Sequence, residues 1–368
     1  MNLRRTRAVA RKEFLHILRD SRSLIMALAL PFVMLMLFGY ALSLDVDRIP
    51  TLIYDQDGSP ESRDLIARIQ GSRYFQVLGF TGSYAAIQAK IDTSECLLGL
   101  VIPRGFGHDA VSGREPSIQV LLDGSDSNTA SIALGYVETV AMTHALQLQG
   151  RKAMPVEPRV RVWYNNELKS KNFIVPGLIA VILMILAGQL TSLTIAREWE
   201  MGTMEQLLST PLRPAELVLG KLSAFFVVGL VDMLIAIVTG VAVFGVPLRG
   251  NALFLFLSGC LFLFGALCWG ILLSAVTRSQ LLAFQAGILS SFLPAFLLSG
   301  FVYAIESMPP VVQVVTHIFP ARYFVTLLKG VFLKGVGVSV LWGELAFLLG
   351  YALIIFLVAT RKVGQKVA

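Results

Sequence analysis

Apolar residues in this chain come in long unbroken runs separated by short charged stretches. Leu24–Leu44 holds 21 residues without a charge, and about 20 apolar residues in a helix cross a bilayer core. The runs 173–196, 222–248, 251–277, 279–305 and 336–360 follow, interrupted only by Asp232 and Glu344. These six runs predict six transmembrane helices. Residues 1–23 differ: seven basic side chains surround the apolar strip Phe14, Leu15, Ile17 and Leu18, the pattern of an amphipathic helix lying on a membrane surface.

Between the first and second runs, residues 45–172 change character. Pro50–Asp55, Gln76–Phe80, Cys96–Ile102 and Ile118–Leu122 have strand patterning, and Val160–Tyr164 reads as a last strand. Pro60–Arg73, Ser83–Asp92 and Ser127–Gln149 have helical spacing and polar starts. Strands alternating with helices predict a small inserted α/β domain. The expected fold class is a polytopic α-helical membrane protein with that domain external, between the first and second spans. Residues 306–335 are apolar but broken by Pro309, Pro310, Pro320, His317, Arg322 and Lys329. A seventh span would bury Arg322 at a cost of at least ~2.5 kcal/mol, so external or re-entrant short helices are expected there.

Composition strengthens the membrane reading. Of 368 residues, 55% are hydrophobic and 15% charged, with mean hydropathy +0.70; soluble domains carry roughly 25% charged residues. Residues 45–171 hold 15 acidic and 13 basic side chains, whereas the rest of the chain holds 9 and 18. Basic residues concentrated beside the spans obey the positive-inside rule. They put residues 1–23, the loop 197–214 and the tail 361–368 in the cytoplasm, and the inserted domain outside. The near-neutral soluble segment argues against nucleic-acid binding. Cys96, Cys260 and Cys268 offer neither a local disulfide pattern nor metal spacing.

No catalytic or nucleotide signature is present. Gly220-Lys221 is followed by Leu222 where a P-loop needs Ser or Thr, and Ala215 stands where its first glycine belongs. His16, His108, His144 and His317 lack metal-ligand spacing. The chain is expected to be no enzyme and to hold no cofactor or metal. Free energy for vectorial work would come from an ion gradient or from another subunit.

The loop after the second span reads Arg197-Glu198-Trp199-Glu200-Met201-Gly202-Thr203-Met204-Glu205-Gln206-Leu207-Leu208-Ser209-Thr210-Pro211-Leu212-Arg213-Pro214. It predicts a short helix with a capping-box opening at Gly202-Thr203 and a stop at Pro211. Its acidic charges are the wrong sign for an anionic lipid surface and suit a protein partner. This loop resembles the coupling-helix signature of ABC-2 type transporter permeases, in the drug- and lipid-exporter-like branch. Lys12-Glu13-Phe14 with Arg19-Asp20 resembles that family's opening helix, and the order of elements matches over nearly the whole chain.

The resemblance implies a docking role for Glu198, Glu200, Gly202, Thr203, Glu205, Gln206, Thr210 and Pro211. It implies an ABC ATPase partner, as two copies or a fused pair, that carries ATP and magnesium, and an N-terminal helix that braces it. A second permease copy or a paralogue would complete an alternating-access exporter in a bacterial inner membrane, moving an amphipathic or hydrophobic substrate outward. A periplasmic adaptor is a further open partner.

Within the spans, Asp232 is the one deep acidic residue. It is either a substrate- or ion-handling group or a protonated or hydrogen-bonded structural carboxyl. Gln189 and Gln285 are either interhelical hydrogen-bond partners or pathway residues. The rival reading is a secondary transporter using Asp232, which predicts an internal repeat that the sequence lacks. A membrane-anchored receptor would leave six spans unexplained.

Overall fold

A computed structural model describes residues 2–41, 48–112, 114, 116–148, 164–165 and 169–365. The expected strand at 160–164 lies outside them, apart from Tyr164. The chain divides into two compact units, Leu44–Arg161 and the remainder.

The helical unit opens with α1 (Leu3–Arg19). The Asn2 side chain caps it by accepting the Arg4 N–H at 3.1 Å, which satisfies one of the donors orphaned at a helix start. After Asp20 the chain turns into α2 (Ser21–Ala41), the first long apolar helix.

The inserted unit has a four-stranded sheet in the order β2-β1-β3-β4. Its elements run β1 (Ile49–Asp55), α3 (Pro60–Gly71), β2 (Phe75–Phe80), α4 (Tyr84–Asp92), β3 (Leu98–Ile102), α5 (Phe106–Val111), β4 (Gln119–Leu122) and α6 (Ser127–Leu148). β1 pairs in parallel with β2 and β3, and β3 pairs antiparallel with β4. Ile49, Ile53, Leu98, Leu100 and Ile102 form a core with Leu65, Ile66 and Ile69 of α3 and Ala133 and Val137 of α6. On the other face Ile87 of α4 lies so close to Gly99 that a Cβ there would stand 2.3 Å from it. Asp57 fastens a turn by accepting the N–H groups of Gly105 (2.7 Å) and Gly107 (2.9 Å).

The chain re-enters the helical unit as α7 (Ser170–Ser192), followed by α8 (Thr194–Glu200), α9 (Thr203–Leu208), α10 (Pro214–Ala242), α11 (Ala252–Thr277) and α12 (Gln280–Leu297). A 3₁₀ turn at Ile305–Ser307 leads to α13 (Pro310–Thr316) and α14 (Pro320–Lys329), then a π-helical turn at Gly330–Lys334 and α15 (Val338–Gln365). Among the described residues, six helical stretches are long and apolar enough to cross a membrane, or seven if the bent pair α13/α14 counts as one. α7 is the axis of the bundle: its apolar window is 83% buried, against 11% for α2 and 17% for α15. The outer helices keep their apolar faces exposed, as lipid-facing helices do.

Several boundaries move from their expected places. The second span ends at Ser192, where the chain breaks at Leu193 before α8. The third helix begins at Pro214 rather than 222, because Pro214 occupies its first turn and Glu216 closes a capping box by accepting the Arg213 N–H. The fifth ends at Leu297 rather than 305: Pro294 lies in its last turn and Gly300 turns the chain with φ +76°. Lys329 then donates to the freed Gly300 carbonyl at 2.8 Å. The last helix starts at Val338 with a kink at Leu341 and runs past 360 to Gln365.

The 306–335 region is a pair of short helices bent by 85°. Arg322 does not stand alone in it. Its guanidinium reaches the end of α13, donating to the Thr316 hydroxyl and lying 3.0 Å from His317 Nδ1.

Candidate coupling site at the α1 end of the bundle

The ends of α1, α8, α9 and α10 meet around a buried ionic cluster. Lys221, 1% exposed near the start of α10, donates to Glu13 Oε1 of α1 at 2.6 Å and to Glu198 Oε1 of α8 at 3.0 Å. Lys12 donates to the same Glu198 oxygen at 3.0 Å. The other Glu198 oxygen accepts the Thr203 hydroxyl at the start of α9. Two cations and two carboxylates thus balance each other across α1, α8 and α10, and Thr203 ties in α9. A buried charge left without a partner is strongly destabilising, so the cluster ties these helices together.

Close backbone approach makes the cluster possible. A Cβ on Gly220 would lie 2.6 Å from Val9 Cβ, so only glycine lets α10 approach α1 this closely. Nearby, Glu216 accepts the Asn2 N–H at 2.6 Å, and Arg5 donates to the Pro211 carbonyl.

α8 is fixed on its other side too. Ser274 of α11 accepts the N–H groups of Ile195 (2.9 Å) and Ala196 (2.8 Å), answering donors freed at the Leu193 break. Glu200 accepts the Gln280 N–H at 2.8 Å and its side-chain amide at 2.6 Å, so it caps α12. Arg278 lies over the Trp199 ring, 4.5 Å from its centroid.

α9 projects from this base. Gly202 turns the chain with φ +69° and leaves open space around itself. The expected capping box at Gly202-Thr203 does not form: the N-cap is Gly202, which has no side chain to accept a bond, and Thr203 turns back to Glu198. Met204 is buried, whereas Glu205, Gln206, Ser209, Thr210 and Pro211 are exposed. Thr210 closes the helix by donating to the Leu207 carbonyl at 2.6 Å.

The eight loop residues therefore divide. Glu198 and Thr203 turn into the protein, and the exposed Glu200 bonds the start of α12; together they hold the loop in place. Glu205, Gln206, Thr210 and Pro211 face outward, with Gly202 at the hinge between the sets. Sequence reasoning missed Lys221, set aside as part of a failed P-loop, and Glu216. The available signal was a lysine and a glutamate in the first two turns of an otherwise apolar helix.

The intramembrane candidates are dispersed. Asp232 is buried in α10, and Gln285 sits on the exposed face of α12. Gln189 of α7 lines a cleft of about 610 Å³ bounded by α1, α2, α7, α8, α10 and α12, whose lining contains neither Asp232 nor Gln285.

A bundle of apolar helices with a braced helix projecting from one end has the form of a membrane transport subunit. The chain belongs to the ABC-2 family of transporter proteins, whose model matches residues 22–361. It is thus a multi-pass membrane protein and the membrane subunit of an ABC transporter, a permease whose ATPase is a partner. It is similar to the probable multidrug ABC transporter permease YbhS of Escherichia coli (strain K12), at 37% identity over 340 residues, covering 91% of this chain and 90% of the relative. The probable multidrug ABC transporter permease YbhR of the same strain is 31% identical over 337 residues, 91% of each chain. The inner membrane transport permease YhhJ is 29% identical over 290 residues, 76% of each chain. This membership removes the reason to invoke a gradient-driven secondary transporter.

Proposed function

We propose that this chain is the permease of an exporter in a bacterial inner membrane, moving amphipathic or hydrophobic compounds outward by alternating access. The relatives named as probable multidrug permeases support that substrate range. Basic residues beside the spans favour cytoplasmic termini and an outward inserted unit. α9 would then face the cytoplasm and dock into an ATPase subunit that carries ATP and magnesium. Two permease copies, or this chain and a paralogue, would enclose the pathway with two ATPase subunits or a fused pair; a periplasmic adaptor is compatible with the outward unit.

The observation that carries the reading is the division of the loop. A free-standing surface helix would move alone when pushed. Here the exposed face of α9 is joined through Thr203 and Glu198 to Lys12 of α1 and Lys221 of α10. Displacement of α9 by closing ATPase subunits would pass directly into α1 and α10 and bias the spans between their two arrangements.

The test is affinity purification of the tagged chain from its native membranes. An ATPase recovered in stoichiometric amount, and lost from Glu205→Lys while the permease still inserts, is the expected result. Full retention in Glu205→Lys would overturn the docking assignment, and a chain that purifies alone would overturn the exporter reading.

A further inference from the structure

Asp232 takes no part in the coupling arrangement. It is 0% exposed, and among the described residues neither carboxylate oxygen has a hydrogen-bond partner. α2 and α7 both pack on α10, and they carry no charge from Leu24 to Ala41 or from Asn172 to Ser192. An ionised carboxylate in such surroundings is costly unless a cation stands beside it.

The same face of α10 leads to the cleft. Phe225 and Val228, seven and four residues before Asp232, both line it. At helical spacing the three lie on one side of α10, with Asp232 about 6 Å further along the axis than Val228. The inner walls are apolar, with Leu30, Leu186 and Phe284 beside Phe225. The mouth is charge-balanced by the Lys12, Lys221, Glu13 and Glu198 cluster, with Arg197 against His16 at 3.1 Å.

We propose that the cleft and Asp232 together admit an amphipathic organic monocation, such as a tertiary amine or a quaternary onium. Its apolar body lies between Phe225 and Phe284, and its positive centre meets Asp232 when α2 and α7 part. An inorganic cation is a poor fit, because Leu30, Leu186, Phe225 and Phe284 offer no oxygen and the Gln189 amide beside them adds one, short of the six or so ligands it needs. An anion would be repelled by Asp232. Aromatic faces beside a lone carboxylate suit an organic cation. This inference rests on the exporter reading and names its substrate class.

The experiment uses the intact permease–ATPase complex in lipid nanodiscs. Radiolabelled tetraphenylphosphonium is compared with tetraphenylborate, an ion of the same shape and opposite charge. The cation is expected to bind at least about tenfold more tightly than the anion, and Asp232→Asn to weaken it at least about tenfold. Asp232→Glu should stay within about threefold of the parent, since it keeps the charge. Ala27→Trp, at a residue that lines the cleft, should also weaken the cation. Equal binding of the two ions, or parental binding by an assembled Asp232→Asn complex, would overturn the proposal. If Asp232→Asn fails to assemble, the two-ion comparison and Ala27→Trp still decide it. A preparation without ATPase speaks against the exporter reading, whereas an assembled complex indifferent to charge speaks only against the substrate class.

Discussion

Lys221 and Asp232 lie on the same helix, about 16 Å apart along its axis, and both are almost completely buried. Lys221 has two carboxylates within 3.0 Å, while Asp232 has no partner among the described residues. A buried charge answered by its neighbours works as a strut, because breaking it exposes both sides to desolvation cost. A buried acid with no such partner costs the fold rather than bracing it, and stands ready for a ligand. One helix thus carries a group that holds the bundle to α9 and, further along, a group free to meet something that arrives.

The sharpest way to break this comparison is Lys221→Met. It removes the cation that answers Glu13, leaves Glu198 to Lys12 and Thr203, and should destabilise the permease by about 3–5 kcal/mol, the range for a buried pair that loses one member. Thermal melting of the detergent-purified chain checks this, and adding Glu13→Gln should recover part of the loss. By the same logic Asp232→Asn should shift melting by no more than about 1 kcal/mol, since no pair is broken. A drop as large as that of Lys221→Met would make Asp232 a strut after all.

Smaller effects are expected at the edges. Glu200→Gln should leave melting in place while hydrogen exchange at the Gln280 amide quickens, because only the α12 cap is weakened. In the inserted unit, the Ser59 side chain and the Gly107 N–H hold the Asp57 carboxylate below its usual range. A lowered folded pKa means that Asp57 adds stability above the unfolded value of 3.8 and loses it as pH falls through the folded value. Exchange at the Gly105 and Gly107 amides should therefore rise below about pH 4, and Asp57→Asn should remove that acid-dependent step.

Much of the helical unit was legible because its signal is one of length. An uncharged run of 21 residues beginning at Leu24 has few alternatives to a membrane helix. Helix ends were less legible. Pro294 and Gly300 stop α12 early, yet the residues after them are as apolar as those before. In the loop, the short helix was readable from Gly202 and Pro211, but the direction of each acid was not. Glu198 and Glu205 look alike in sequence; one is buried against two lysines and the other is exposed.

By itself, the sequence determined which stretches are apolar enough to leave water, where the basic residues cluster, and that a short acidic helix interrupts the bundle. These are local properties, set by side-chain transfer energies and by backbone punctuation at proline and glycine. Only the tertiary structure decided that Glu13, Glu198 and Lys221, up to 208 residues apart, share one buried cluster, and that Asp232 has no hydrogen-bond partner among the described residues. Pairing of charges depends on which helices approach closely, and that depends on packing such as Gly220 against Val9, which no single stretch of chain specifies.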